Sequence, residues 1–535
     1  MPVLETQLDR RSPQFAERRE RMLERIAEFR ALEARVVASS ASKKPKFDKR
    51  NQLLPRERLA RLVDRGAPFL ELATLAGLKM HDDDGDPPAG ASAVAGIGYV
   101  HGTRCFITAS DSAIKGGAIS PMGLKKSLRG QEIALKNRLP TVNLVESAGA
   151  NLMYQSELFV DGGRVFANLA RLSAAGLPQV TVVHGSSTAG GAYIPGLSDY
   201  VVVVRGRAKI FLAGPPLVKA AIGEEATDEE LGGAEMHASV TGTADYIAED
   251  DAHAVALARE IVRTLPWDKP AAARDFAEPL HDADDLCGLV PDDWMQPYDV
   301  REVIARVVDG SEFLEFKTNY GTNTVCGHAA IEGHAVGVIG NNGPLDPQGS
   351  TKAGQFIQLC DQAGIPLVYL HNITGYMVGT EAERGGIVKH GSKMIQAVAN
   401  ARVPAVSILI GGSFGAGNYG MCGRGFDPRF IFSWPNSRIS VMGGEQAARV
   451  MEIITRAKFG RMGIEPDPEA LEAMGAQIKG LLDKESTALF ATARLWDDGI
   501  IDPRDTRRVL AETLATCREG DARTVRPNTF GVARF

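Results

Sequence analysis

The sequence predicts an α/β fold built from two related halves, and three observations predict it. The stretch Val403–Met421 (VPAVSILIGGSFGAGNYGM) repeats one that begins 226 positions earlier at Leu177 (LPQVTVVHGSSTAGGAYIP), pairing Pro178 with Pro404, Gly185 with Gly411, Ser187 with Ser413, Gly191 with Gly417 and Tyr193 with Tyr419. The same displacement pairs Leu139–Gly149 with Ile365–Gly375 and Lys126 with Lys352. In each copy a β-branched run of strand length passes into a Gly/Ser turn and then small residues, the pattern of a buried strand, a tight turn and a helix start.

At 535 residues the chain is too long for one core, which agrees with two domains. An apolar content of 44% and a charged content of 24% are ordinary for a globular protein. A net charge of −6 lacks the basic footprint of a nucleic-acid binder. The six cysteines are scattered, with no C-x-x-C pair, and no histidine spacing suits a metal, so neither a zinc site nor a disulfide framework is expected. The N-terminus is polar and no run approaches the roughly 18 apolar residues of a membrane span, which reads as a cytoplasmic protein without a membrane partner.

Taken in order, Pro13 to Val37 carries Phe15, Met22, Ile26, Phe29 and Leu32 at helical spacing and should form a long amphipathic helix. Ala38 to Asn51 reads as an exposed connection. Leu54–Asp64 with Phe69–Leu72 then matches Val300–Asp309 with Phe313–Phe316, marking where each ordered core begins. His81–Asp86 lacks the glutamate that closes a calcium loop and reads as a solvated acidic loop. Gly-punctuated β-rich runs follow from Val94 and again near Gly327 and Gly333. The Pro- and Ala-rich segment Lys269–Pro291 is the expected linker, which divides the chain into domains 1–270 and 271–535. Strands alternating with helices and glycine turns complete the α/β reading.

Two strands in each half end in turns of small residues: Ser147–Ala150 and Thr188–Gly191, then Ile373–Gly375 and Phe414–Gly417. If the strand ends are neighbours, each half aims two backbone N–H groups at one oxygen, the arrangement of an oxyanion hole. Paired holes suit a reaction in which two carbonyl oxygens gain negative charge. The plainer reading, that these glycines only permit tight turns, is outweighed by their repetition. Gly415–Gly420 also fits G-x-G-x-x-G, but no acidic residue stands about 20 positions on, as a dinucleotide site requires. His184, His371 and His390 read as packed or hydrogen-bonded residues.

The segments Gly185–Pro195 (GSSTAGGAYIP), Ile210–Lys219 (IFLAGPPLVK), Gly411–Arg424 (GGSFGAGNYGMCGR), Val441–Ala448 (VMGGEQAA) and Leu495–Gly499 (LWDDG) resemble the carboxyltransferase (β) subunits of biotin-dependent acyl-CoA carboxylases. The branch they look like acts on methylcrotonyl-CoA or geranyl-CoA. The resemblance implies two tandem crotonase-like domains (ClpP/crotonase superfamily), the first serving acyl-CoA and the second biotin. It implies a homo-hexamer within an α6β6 complex, with sites shared between protomers. The chain has no biotinyl Met-Lys-Met site, so biotin would arrive on a biotin carboxylase/biotin carboxyl carrier (α) subunit. No metal is implied.

Carried onto this sequence, the resemblance makes the amides around Gly149, Ala150, Gly190 and Gly191 holders of the thioester oxygen, with Thr188 and Ala189 lining the substrate. It makes those around Gly375, Gly415 and Ala416 holders of the biotin oxygen, beside Phe414 and Gly417. Methylcrotonyl-type members resemble Ala-Asn-Leu followed by a longer Arg/His-containing segment and Phe-Gly-Arg. Here Ala150 to Arg164 is three residues shorter and Gly162, followed by Gly163, falls at that Phe. Losing a ring there would open a tunnel in which each buried CH2 of a longer chain contributes about 0.8 kcal/mol. Geranyl-CoA is therefore the expected substrate, ahead of methylcrotonyl-CoA. A related decarboxylase and a non-catalytic crotonase-like scaffold are the competing classes.

Overall fold

The structure, a computed structural model, describes residues 1–81, 90–265, 267 and 275–533. The chain forms two compact units. The N-terminal unit comprises Ala31–Ala272, Ala493–Leu495 and Ala515–Phe535; the C-terminal unit comprises Met1–Arg30, Ala273–Thr492 and Trp496–Leu514. Division at residue 270 would place each terminal segment in the other unit.

The N-terminal unit holds strands β1 (Leu70–Glu71), β2 (Ala93–Val100), β3 (Thr103–Ser110), β4 (Thr141–Ser147), β5 (Gln179–Thr188), β6 (Tyr200–Val204), β7 (Lys209–Phe211) and β8 (Tyr246–Ala248). They pair in the order β1-β2-β3-β4-β5-β6-β8, with β7 also on β5. The pairs from β3 onward are parallel. Strands buried on both faces need apolar runs, and Val180, Val182 and Val201 to Val204 are all fully buried.

The C-terminal unit repeats the plan with β9 (Leu314–Glu315), β10 (Thr324–Ile331), β11 (His334–Asn341), β12 (Leu367–Ile373), β13 (Ala405–Phe414), β14 (Phe430–Ser433) and β15 (Arg438–Ser440), in the order β14-β13-β12-β11-β10-β9 with β15 on β13. The expected α/β fold of two related halves is what the chain adopts. The helices that matter below are α1 (Pro13–Ala41), α2 (Pro121–Lys136), α3 (Gln155–Ala174), α4 (Pro347–Ala363), α5 (Gly415–Gly420) and α6 (Gly444–Arg461).

The 226-residue register reaches into fine detail. The helices α2 and α4 both begin with Pro after a capping side chain, Ser120 or Asp346, that accepts the amide hydrogen three residues on. Lys126 and Lys352 are both buried. The Lys126 ammonium donates to the carbonyls of Ala73, Gly90 and Ala93 at 3.1, 3.3 and 2.6 Å. Burial lowers its pKa to about 8.

Two local expectations fail. The helix α1 runs on to Ala41, and Lys44–Asp48 forms a further short helix, so 38–51 is largely helical where a connection was expected, while most of its residues are exposed as expected. Buried anchors hold the segment: Phe47 is in a core, and Ser40 donates to Asp111 at 2.9 Å. The second part of the expected linker is also core. Leu286–Leu289 is a buried helical turn, and Gly288 lies so close to the Phe15 ring that a Cβ would overlap it. Of the acidic stretch 81–86 only His81 is among the described residues.

Candidate active site

In the N-terminal unit β4 and β5 run side by side to their ends. Their ladder shifts register between Val145↔Val183 and Ser147↔Ser187, so two residues of β4 span four of β5. The turns that follow are therefore neighbours. Gly149 takes a left-handed φ of +88°, and a Cβ on it would stand 3.3 Å from the Thr188 carbonyl, so only glycine suits the approach. Side chains lock the corner: Ser147 Oγ donates to the Gly117 carbonyl at 2.9 Å and accepts the Gly149 amide at 3.1 Å, while Ser187 Oγ donates to the Gly191 carbonyl at 2.9 Å.

After β5, Ala189–Ala192 forms a 3-10 turn. Ala150, Ala189 and Gly190 are exposed, Thr188 is half-buried, and Gly191 is buried. Ala189 has a φ of +52°, a region that an L residue enters at a cost of about 1–2 kcal/mol. The first amides of such a turn have no acceptor within it. Gly190 faces the Phe166 ring, with a Cβ position 3.3 Å from Cζ, and Phe166 lies against Tyr193 with ring centroids 5.1 Å apart. Gly162 and Gly163 lie mid-way along α3, one turn before Phe166 on the same face. Neither has an atom within 4 Å of its Cβ position, so both border open space.

The C-terminal unit builds the same corner. The ladder between β12 and β13 shifts between His371↔Leu409 and Ile373↔Ser413. Gly375 has a φ of +127°, and Gly417 packs on it, its Cβ position only 3.0 Å from Gly375 Cα. Gly415 has a φ of +54°, matching Ala189 at the equivalent place. Gly415 and Ala416 open α5, whose first-turn amides lack helical acceptors. Ala416 is exposed. The Phe414 side chain is buried against Trp294, ring centroids 4.4 Å apart, so only its backbone borders the turn. Trp294, Arg438, Gly443 at the start of α6 and Lys479 line a cavity of about 700 Å³.

Behind the two corners the side chains differ. At the end of β4, Glu146 accepts from Arg58 at 2.7 Å and crowds Gly185 so closely that a Cβ there would lie 2.7 Å from its carboxylate. Asp251 faces the same Arg58 at 3.4 Å and binds His184 Nδ1 at 2.8 Å. Burial, then the charge of Arg58, depresses His184 to about 4. Burial pushes Asp251 up, but the His184 hydrogen bond and the Arg58 charge outweigh it and hold Asp251 at about 2. A neutral imidazole therefore donates to an ionised carboxylate. In the C-terminal unit Asn372 takes the place of Glu146 and crowds Gly411 in the same way.

His371 and Ser413 are fully buried and bonded to each other at 2.9 Å, and His390 meets Thr351 at 2.9 Å. Against the sequence reading that no serine is framed as G-x-S-x-G, Gly411–Gly415 is such a frame around Ser413. Its serine is buried, unlike an exposed nucleophile. Among the described residues no group of three or more His, Cys, Asp or Glu side chains is placed to hold a metal, and no helix is long and apolar enough to cross a membrane.

Comparison with known proteins shows the family of the chain. The carboxyl transferase domain model matches residues 46–529. The crystal structure of the P. aeruginosa geranyl-CoA carboxylase beta subunit superposes with a TM-score of 0.94 at 60% identity, covering 100% of both chains. A probable biotin-dependent acyl-coenzyme A carboxylase beta2 subunit of Mycobacterium tuberculosis is 48% identical over 537 residues, 100% of each chain. A probable mitochondrial methylcrotonoyl-CoA carboxylase beta chain of Drosophila melanogaster is 46% identical over 555 residues, 100% of this chain and 95% of the relative. The chain belongs to the carboxyl transferase family, among the carboxyltransferase (β) subunits of biotin-dependent acyl-CoA carboxylases.

Proposed function

We propose that this carboxyltransferase moves a carboxyl group from carboxybiotin to the γ-carbon of geranyl-CoA, and that its two strand-end corners divide the work. The observation that carries the division is the repeated adjacency of two small-residue turns, Gly149 beside Thr188 and Gly375 beside Gly417. The amides of Ala150, Gly190 and Gly191 hold the thioester oxygen, with Gly149, Thr188 and Ala189 shaping the corner. The amides of Gly415 and Ala416 hold the biotin carbonyl oxygen, with Gly375, Gly417 and the Phe414 backbone around them. A surface nearly free of side chains fits a planar ureido ring brought close to backbone donors. Biotin supplies the activated carboxyl group; the chain orients both carbonyls and stabilises charge on them, each donor contributing about 2.7–4 kcal/mol.

Biotin comes on a separate α subunit, and the β chains assemble as a hexamer within an α6β6 complex. Large exposed apolar side chains support an assembly: Leu152, Met153, Phe159 and Val160 in the N-terminal unit, Ile453 and Ile454 in the C-terminal unit.

For the acyl chain, the open space at Gly162 and the 60% identity to a geranyl-CoA carboxylase subunit favour geranyl-CoA. The methylcrotonoyl-CoA carboxylase relatives at 46–49% identity favour the short substrate as the second reading. The test is ATP-dependent fixation of radiolabelled bicarbonate by the assembled complex on both thioesters. Strong fixation on geranyl-CoA, lost preferentially in Gly162→Phe, is expected; activity confined to methylcrotonyl-CoA would remove the geranyl assignment.

A further inference from the structure

The C-terminal corner contains a buried polar hub with no counterpart in the N-terminal one. Ser413 Oγ, at the end of β13, accepts from Asn418 Nδ2 at 2.8 Å and meets His371 Nδ1 at 2.9 Å. His371 and Ser413 are 0% exposed and Asn418 is 7% exposed. The amide nitrogen of Asn418 can only donate, which leaves the serine hydroxyl hydrogen free to point at Nδ1. The hub is closely packed, since Gly423 leaves no room for a Cβ beside the Asn418 amide and its own N–H donates to the Asn418 carbonyl at 2.8 Å.

These three residues stand on the three pieces that must be held together. His371 lies at the point where the β12–β13 ladder loses register, between His371↔Leu409 and Ile373↔Ser413. Pairing with β12 therefore does not fix Ile410–Gly412, although β15 pairs with β13 from Gly412 on its other side, and the His371–Ser413 bond spans the gap to β12. Asn418 sits in α5, three residues after Gly415, so its bond to Ser413 sets the angle between strand end and helix start. At the matching positions of the N-terminal unit stand Val145, Ser187 and Ala192, and Ser187 turns to the Gly191 carbonyl instead.

We propose that His371, Ser413 and Asn418 are positioning residues for the carboxyl transfer, a side-chain clamp that sets the amides of Gly415 and Ala416 against the biotin carbonyl. This rests on the reading of the C-terminal corner as the biotin side. A hub that only stabilised the core would, when broken, lower the unfolding stability of the C-terminal unit without changing the kinetics of the folded complex. A hub that aims two amides affects the biotin side alone, because misplacing a donor by about 1 Å costs up to about a hundredfold in rate.

The test uses the assembled complex and free biotin as acceptor of the carboxyl group from the carboxylated acyl-CoA, with acyl-CoA affinity measured in parallel. Ser413→Ala and Asn418→Ala are expected to lower kcat/KM for biotin about tenfold or more while acyl-CoA affinity stays within about twofold of the wild type. His371→Leu should behave like them. His371→Asn, which keeps a hydrogen-bonding atom near the place of Nδ1, should restore most of the rate. Unchanged biotin kinetics in Ser413→Ala, or equal losses for biotin and acyl-CoA, would overturn the proposal. Should Asn418→Ala fail to assemble, Ser413→Ala, which removes a single oxygen, decides. Ala416→Val tests the underlying reading: if it leaves biotin kinetics intact, the biotin assignment fails. If it impairs them and Ser413→Ala does not, only the clamp fails.

Discussion

The two halves share a backbone and differ in what stands behind it. Ala189 and Gly415 occupy the same left-handed corner at φ of +52° and +54°. Gly185 and Gly411 are both crowded by the side chain at the end of the preceding strand. Yet that side chain is Glu146 in one half, tied to Arg58, Asp251 and His184, and the neutral Asn372 in the other. The N-terminal corner is braced by buried charges, the C-terminal one by a neutral Ser–His–Asn hub. A duplicated fold therefore keeps the geometry that presents amides and lets the support diverge, which permits each corner to be tuned for the carbonyl proposed for it without moving the other.

Breaking the charged brace should have the largest effect on stability. Arg58→Met leaves the Glu146 carboxylate without the guanidinium that donates to it at 2.7 Å, and leaves Asp251 with His184, the Leu53 amide and the more distant Arg207 at 3.6 Å. Removing one partner of a buried pair costs about 3–5 kcal/mol. The position matching Arg58 is Val303, fully buried, so no cation stands at that place in the C-terminal unit, whose buried Arg306 pairs with Asp285 and Glu302 instead. Denaturant unfolding of the purified subunit should show the loss, and a change under about 1 kcal/mol would mean that the brace is not holding the corner.

Acid should sharpen the comparison next, because each half holds one fully buried histidine of depressed pKa, His184 and His371. Burial depresses His371 to about 3, and burial with the Arg58 charge depresses His184 to about 4, from the ordinary 6.5. Below pH 6.5 the unfolded chain takes up protons that the folded chain refuses, so both contributions are present above that pH and are lost as pH falls toward 4. Asp497 acts with the opposite sign: burial raises it to about 6, so its contribution is present at low pH and lost as pH rises through 6. The Tm of the wild type should fall between pH 6.5 and 4, and His184→Asn should flatten that fall. An unchanged slope would show that the histidine is not the group responsible.

The smallest effect concerns the shared left-handed corner. Ala189→Gly should stabilise the N-terminal unit by about 1 kcal/mol, since glycine enters that region without strain. Gly415→Ala should destabilise by a similar amount or more, because its Cβ would stand 3.0 Å from the Val441 carbonyl. Differential scanning calorimetry of the two variants gives opposite shifts if the corners are equivalent.

Much of this was legible in the sequence because it is local or periodic. Strand runs such as Val201–Val204, caps such as Ser120 and Asp346 with their prolines, and the aligned Lys126 and Lys352 follow from short-range pattern and a constant offset. What escaped depends on contacts distant in sequence. Polar composition marked 38–51 as exposed, and most of it is, but it hid the two anchors, Phe47 in a core and Ser40 bonded to Asp111, that hold the segment. Leu286–Leu289 looked like linker because its partner, Phe15, lies at the far end of the chain. The hub escaped for another reason. Alignment by the repeat sets His371 against Val145 and Asn418 against Ala192, so a search for what the halves share discards it. The G-x-S-x-G frame was the available signal.

The division of labour between the corners is tested most directly by two glycines that only backbone geometry requires. Gly149→Ala forces an L residue into φ +88° against Thr188, and Gly417→Ala places a methyl 3.0 Å from Gly375 Cα. Steady-state kinetics of carboxyl transfer to free biotin, with acyl-CoA affinity measured on the same preparations, separates them. The expected result is a loss of about a hundredfold or more in each, with Gly149→Ala weakening the acyl-CoA side and Gly417→Ala the biotin side. Reversed losses, or losses that fall equally on both substrates in both variants, would contradict the assignment of one corner to each carbonyl oxygen.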